Sequence, residues 1–174
     1  GTWEKALAYH RHAGIQAFAR SSLREALAGF EQALAALHHL PVSQETCEQA
    51  IDLRLEMRNV LIALADFGRM FELLGEAEGL AKTLEEPRRL GWVSAYLSPY
   101  FSNTGDQDHA IEMGQRALAI ATASGDFALE MMATFFLGLA SLALGHYQQQ
   151  VQYHRRNVEA LQGQWRHERF GEPG

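Results

Sequence analysis

Cysteine is nearly absent from this sequence. Cys47 stands alone among 174 residues, so no intramolecular disulfide and no thiolate metal cluster can form, and a reducing compartment suits the chain better than an oxidising one. Proline occurs only four times, and isoleucine, valine and threonine are scarce beside alanine, leucine, glutamate, glutamine and arginine. That balance withholds the β-branched residues that strands prefer and supplies strong helix formers, which points to an all-α fold. A surplus of positive charge is missing too. The formal charge of -6 and pI near 5.7 leave no general basic field to hold phosphates, so nucleic acid is not an expected partner. No run approaches the roughly 18 apolar residues that span a bilayer, and Gly1-Thr2-Trp3-Glu4-Lys5 lacks the basic-then-apolar order of an export signal. No membrane partner is expected, and the expected location is cytoplasmic. The start on Gly1 and the close on Gly171-Glu172-Pro173-Gly174 read as cut ends within a larger parent.

What is present is helical periodicity on a chain whose 47% hydrophobic content can build a core unaided. Leu7, Gly14, Ala17 and Phe18 recur at three- and four-residue steps, and Ser21-Ser22 then opens a second run to Leu37. Beyond His38-His39-Leu40-Pro41, a helix from about Gln44 carries Ile51, Leu55, Val60, Leu61 and Leu64, stops near Gly68 and resumes from Arg69 to Leu84. Pro87 opens a helix to Thr104, Gly105-Asp106 stops and caps, and Ser124-Gly125-Asp126 repeats that device before a run to Leu144. A turn at Gly145 leads into a last helix ending near Leu161. The reading is four helical hairpins, about 2–40, 44–85, 87–124 and 126–162, in one repeat domain over 1–164, with a tail at 165–174 leading into a further repeat. Turns inside the hairpins fall at Ser21, Gly68, Gly105 and Gly145, so the separations are 47, 37 and 40 residues.

Small and aromatic residues recur where two helices of a hairpin would cross: Gly14, Ala26, Phe30 and Ala33 in the first, Gly105, Ala110 and Ala117 in the third, Gly138, Gly145 and Tyr147 in the fourth. This pattern resembles the tetratricopeptide repeat, whose period is about 34 residues. The resemblance implies a right-handed α-solenoid that binds protein and performs no chemistry. The sequence departs from the pattern at Leu73, Leu80, Gln150 and Asn157. Four longer runs, Arg24 to Leu34, Arg88 to Tyr96, Gln115 to Ala121 and Arg155 to Leu161, are similar to the repeat region of bacterial signalling proteins that join a class III adenylate or guanylate cyclase, an ATPase module and helical repeats. That resemblance implies a scaffold, or alternatively a sensor whose bound peptide or small molecule controls a fused cyclase or ATPase domain.

Candidate chemistry is thin, and the expectation is that the chain is not an enzyme and carries no cofactor. His10 and His12 point in different directions on a helix, and no His-x-x-x-His pair with a nearby acid occurs. His38-His39 suits the end of a helix, and Asp106-Gln107-Asp108-His109 the start of one. Cys47 beside Glu45 and Glu48 reads as a structural thiol, because neighbouring acids oppose its ionisation. No phosphate-binding glycine motif occurs. An enzyme site built from Asp66, Glu130 and scattered histidines lacks any recognisable spacing. Arg155, Arg156, Arg166, His167 and Arg169 read as a solvated basic helix end. Pro99 should bend its helix, with Ser94, Ser98 and Asn103 around the bend as a candidate polar pocket.

The remaining surface is the concave face that the first helix of each hairpin lines in such stacks. It is read here as Arg11, Ile15 and Phe18, then Leu55, Arg58 and Ile62, then Trp92, Ala95, Pro99 and Asn103, then Met132, Phe135 and Leu139. Ile15, Ile62, Pro99 and Leu139 replace the polar residues with which chaperone-binding repeats clamp a carboxylate. A mostly apolar lining suits an amphipathic helix or extended apolar segment, from another protein or the same parent chain, with an acidic end near Arg11 or Arg58. Monomer or homodimer is expected.

Overall fold

The computed structural model describes residues 1–161. They form helices α1 (Thr2–Ala19), α2 (Leu23–Leu37), α3 (Gln44–Ala63), α4 (Phe67–Thr83), α5 (Pro87–Thr104), α6 (Gln107–Ser124), α7 (Phe127–Ala143) and α8 (Tyr147–Ala160), and no strand occurs among the described residues. The basic residues expected at 166, 167 and 169, and the tail from 165, lie outside them. Two compact units result, Gly1–Glu85 and the chain from Glu86 onward.

One turn recurs between consecutive helices. A residue at positive φ ends the helix at six of the seven described junctions, at Ser21, Ala65, Glu85, Gly105, Gly125 and Gly145, and α2 alone stops without one. The amide of the following residue then reaches back five positions in five of these turns, Ser22 to Ala17, Asp66 to Leu61, Asp106 to Phe101, Asp126 to Ala121 and His146 to Ser141, at 2.8–3.1 Å. This is the left-handed helix stop that satisfies otherwise orphaned carbonyls. Aspartates 66, 106 and 126 then accept the amides of Arg69, His109 and Leu129 to start the next helix. From Ala65 to Gly145 the positive-φ residues fall at a constant step of 20, so each hairpin there is 40 residues long. Ser21 to Ala65 spans 44, and the surplus of four sits in the segment joining α2 to α3. The second intra-hairpin turn is therefore at Ala65 and not at Gly68, which lies in the first turn of α4.

In the first unit, α1 and α2 cross at two glycines: a Cβ on Gly29 would stand 2.8 Å from the amide nitrogen of Gly14, and one on Gly14 would meet the Phe30 ring at 3.1 Å. Ala26, Phe30 and Ala33 are buried there, as the repeat pattern requires. Trp3 stacks on His39 with ring centroids 4.0 Å apart. In the second unit, α5 packs directly along α7, and a Cβ on Gly91 would lie 2.6 Å from Leu129 Cδ2. Three of the four buried hydroxyls among the described residues have partners: Ser98 Oγ donates to the Ala110 carbonyl on α6, Ser94 Oγ donates to the Leu90 carbonyl one turn back, and Thr134 Oγ1 lies within hydrogen-bond distance of both the Glu130 carbonyl and Asn157 Oδ1, whereas Ser141 Oγ has none. Arg116 donates to Ser94 Oγ at 2.8 Å. Asn157, where the repeat pattern calls for a small residue, accepts from Thr134 and donates to the Met131 carbonyl, tying α8 to α7. Ser94 and Ser98, expected beside Pro99 in a polar pocket, are fully buried in helix packing, whereas Asn103 is exposed, so the three do not share one surface. Helix α5 runs unbroken through Pro99.

Candidate functional site

The hairpin geometry sorts the expected surface residues by burial. Ile15 and Phe18 on α1, Ile62 on α3, Asn103 on α5 and Phe135 on α7 are exposed, and Met132 is half-buried. Two expectations fail. Leu55 is 3% exposed and Trp92 1%, so both belong to the core and neither can touch a partner. The reason lies in how their helices are packed. Ile51, Leu53, Leu55 and Met57 are all buried, although alternate positions on a helix face nearly opposite ways. All eight residues from Gly91 to Ser98 are buried on α5 as well. Both helices are enclosed on most sides, and a single apolar stripe does not say which side faces water. Ala95 is buried for the same reason.

On α7, Phe135, Leu139 and Leu142 are 44%, 39% and 42% exposed. Their spacing places them on one face beside Met132. On α1, Arg11, Ile15 and Phe18 share a face in the same way. Leaving such ridges in water forgoes the free energy that burial would release.

Arg11 also borders a cleft of about 380 Å³ between α1 and α3. Leu7 and Ala8 from α1, Leu53 from α3, and Leu40 and Pro41 from the connecting loop give it an apolar lining, with Glu4, Glu45 and Gln49 among its polar residues. Its loop wall is fastened. Ser43 Oγ accepts the Thr46 amide at 3.2 Å, and Thr46 Oγ1 accepts the Ser43 amide at 2.9 Å and donates to the Pro41 carbonyl at 3.0 Å. Arg11 Nε stands 3.1 Å from both carboxylate oxygens of Glu56. That hydrogen bond raises the guanidinium pKa further, against the opposing effect of burial. An acidic partner group was expected near Arg11, but Glu56 already fills that role. Arg58 donates to Asn59 Oδ1 at 2.8 Å.

The remaining chemical candidates have structural partners. Asp66 caps α4, and Glu130 pairs with Arg156. Asp106 caps α6 and holds the His109 ring at 2.7 Å. Cys47 is half-buried in the first turns of α3. Among the described residues no three His, Cys, Asp or Glu side chains converge as metal ligands, and no helix is long and apolar enough to cross a membrane. Three features were not singled out in the sequence: Gly29, the cleft, and Leu142. Gly29 sits one turn before Ala33, at the spacing that could have marked a close crossing.

No family model and no curated protein matches the chain. Solved structures do. A putative kinesin light chain from Podosopora anserina with nearly identical TPR-like repeats superposes with a TM-score of 0.69 at 16% identity, over 89% of this chain and 74% of that one. BtubC from P. vanneervenii gives 0.56 at 16% identity, over 94% and 93%. A Rap protein complexed with competence and sporulation factor gives 0.55 at 16% identity, over 90% of this chain and 54% of that one. With its eight described helices and recurring turns, this chain has the all-α, tetratricopeptide-like repeat fold.

Proposed function

We propose that this chain is a non-catalytic, cytoplasmic module that binds a polypeptide segment on exposed faces of the first helices of its hairpins. The observation that carries the reading is the ridge Phe135, Leu139 and Leu142, three large apolar side chains left in water at helical spacing on α7. An amphipathic helix or extended apolar segment would remove that surface from solvent. Ile15 and Phe18 repeat the arrangement on α1. The solved Rap structure is a complex with competence and sporulation factor, and it shares this fold over 54% of its length, which supports a partner-holding role. Control of a fused cyclase or ATPase domain refines the same reading and rests on the four sequence runs quoted above.

The test is selection of a random 12-residue peptide library, displayed on phage, against the whole chain. Enriched peptides should lose binding to Phe135→Asp with Leu139→Asp, while the variant's unfolding free energy stays within about 0.5 kcal/mol of wild type per substitution, as surface changes do. Trp92→Ala serves as the contrast: it removes a fully buried indole and should cost about 4 kcal/mol. Peptides that bind the double aspartate variant as tightly as wild type would remove the α7 face from the proposal.

A further inference from the structure

We propose that the bound segment is an amphipathic helix seated across α7 and α8, and that His154 obliges it to carry a small residue at their point of contact. This rests on the polypeptide-binding reading above and names the form of the segment and one determinant of its choice. The apolar surface does not end on α7. On α8, Tyr147, Val151, His154 and Val158 follow one another at steps of four, three and four residues, within an arc of about 60° at 3.6 residues per turn. That side of α8 borders the α7 ridge, because the His154 ring stands edge-on to Phe135 with centroids 5.8 Å apart. Tyr147, Val151 and Val158 are exposed. One apolar groove therefore runs between the two helices, with Gly138 and His154 in contact at its floor.

What fills such a groove is visible one repeat earlier. Gly105 and Gly145 set the two hairpins of this unit 40 residues apart, so Phe135, Leu139, Val151 and Val158 correspond to Ala95, Pro99, Ile111 and Leu118. Those four earlier residues are buried or half-buried, and α7 packs on both α5 and α6. The occupant there is a helix, whose Leu129 and Leu137 reach down to Gly91 and Gly114. The correspondence breaks at one place. A Cβ on Gly114 would lie 2.7 Å from Leu137 Cδ2, and the residue 40 positions on is His154. Any side chain at that point takes the space a leucine uses on α6. The imidazole also lies over Gly138, where a Cβ would stand 2.8 Å from its Cε1 and Nε2. A helix laid on α7 and α8 as α7 is laid on α5 and α6 must therefore set Ala, Gly or Ser against His154, between large apolar residues on the same face.

The same phage library tests this separately from the function itself. Selected peptides should gain helical circular dichroism on binding. Val151→Asp with Val158→Asp, which changes only exposed positions and should leave the melting curve as in wild type, should abolish their binding. Each peptide should carry a small residue whose replacement by Leu weakens binding to the wild-type chain about tenfold, as overpacking does. His154→Gly, which restores the glycine present at 114, should reverse that loss. If His154→Gly itself loses helical signal, the Leu replacement measured on the wild-type chain decides alone. Peptides that stay unordered when bound, that bind the α8 double variant as wild type, or that accept Leu at every small position overturn the proposal. If those peptides are nevertheless lost on Phe135→Asp with Leu139→Asp, the module reading stands without it; if no peptide enriches at all, both fall. Self-association in sedimentation equilibrium that the α8 double variant abolishes would assign the groove to a second copy of the chain instead.

Discussion

In the unit from Glu86 onward, α5 lies directly along α7, with Gly91 against Leu129 and Ile120. In Gly1–Glu85 the corresponding helices, α1 and α3, scarcely touch, and a cleft opens between them. The local cause is the α2–α3 connection, four residues longer than the constant step elsewhere requires. Close packing in the first unit is concentrated instead within the hairpin, where Gly14 and Gly29 let two helix backbones meet. The turns differ as well. The second unit stops its helices with Gly105, Gly125 and Gly145, whereas the first places Ser21, Ala65 and Glu85 at positive φ. One repeat geometry thus accommodates both kinds of turn residue, and the unit with the longer connection has an open cleft where the other has a helix contact.

Substituting the crossing glycines breaks the comparison most sharply. A methyl at Gly29 would press on the Gly14 backbone at 2.8 Å and 2.9 Å, which neither helix can yield without moving apart. Gly29→Ala should therefore cost about 2–3 kcal/mol in urea unfolding. At Gly91 the nearest atoms belong to side chains and not backbone, Leu129 Cδ2 at 2.6 Å and Ile120 Cγ2 at 2.9 Å, and the Leu129 methyl can turn aside. There the gain in helix propensity, roughly 1 kcal/mol, offsets much of the overpacking. Gly91→Ala should fall within about 1 kcal/mol of wild type. Equal costs at the two sites would show that the first unit does not depend on backbone contact.

These differences also mark where the sequence was legible. Glycine followed by aspartate at 105–106 and 125–126 announces a stop and a cap, because glycine alone adopts positive φ cheaply. Ala65 carries no such signal, and Gly68, three residues on, drew the turn to itself. The exposed members of the surface reading, Ile15, Phe18, Ile62 and Phe135, lie on helices or helix portions with one open side. Leu55 and Trp92 were misread because α3 and α5 are enclosed around most of their circumference. The cleft had no motif to show, since it depends on the length and hydrogen bonding of the 38–43 connection.

Exchanging turn residues between the units should move stability in opposite directions. Ala65 sits at φ 58 and Gly105 at φ 89, and a Cβ at Gly105 would meet nothing within 4 Å. Backbone conformation alone therefore sets the outcome. Ala65→Gly should stabilise by about 1 kcal/mol and Gly105→Ala should destabilise by about the same amount, both read from urea midpoints at constant m. Loss of stability in Ala65→Gly would mean that the flexibility gained by the unfolded chain outweighs the relief of strain.

The smallest expected difference concerns the caps that follow these turns. Asp66 accepts the backbone amide of Arg69, whereas Asp106 accepts both the backbone amide and a ring N–H of His109. The hydrogen bond to Asp106 holds His109 above its ordinary 6.5, and the bond from His109 holds Asp106 below its ordinary 3.8. A raised histidine contributes its stabilisation fully below pH 6.5 and loses it as pH rises through the folded value. A lowered carboxylate contributes above 3.8 and loses its share as pH falls through its own folded value. The α6 cap should thus be strongest between those two limits. An NMR titration of the His109 ring should place its midpoint above 6.5, and Asp106→Asn should bring it back toward the ordinary value. An unchanged midpoint in Asp106→Asn would assign the shift to the more distant Glu112 and Asp108 instead.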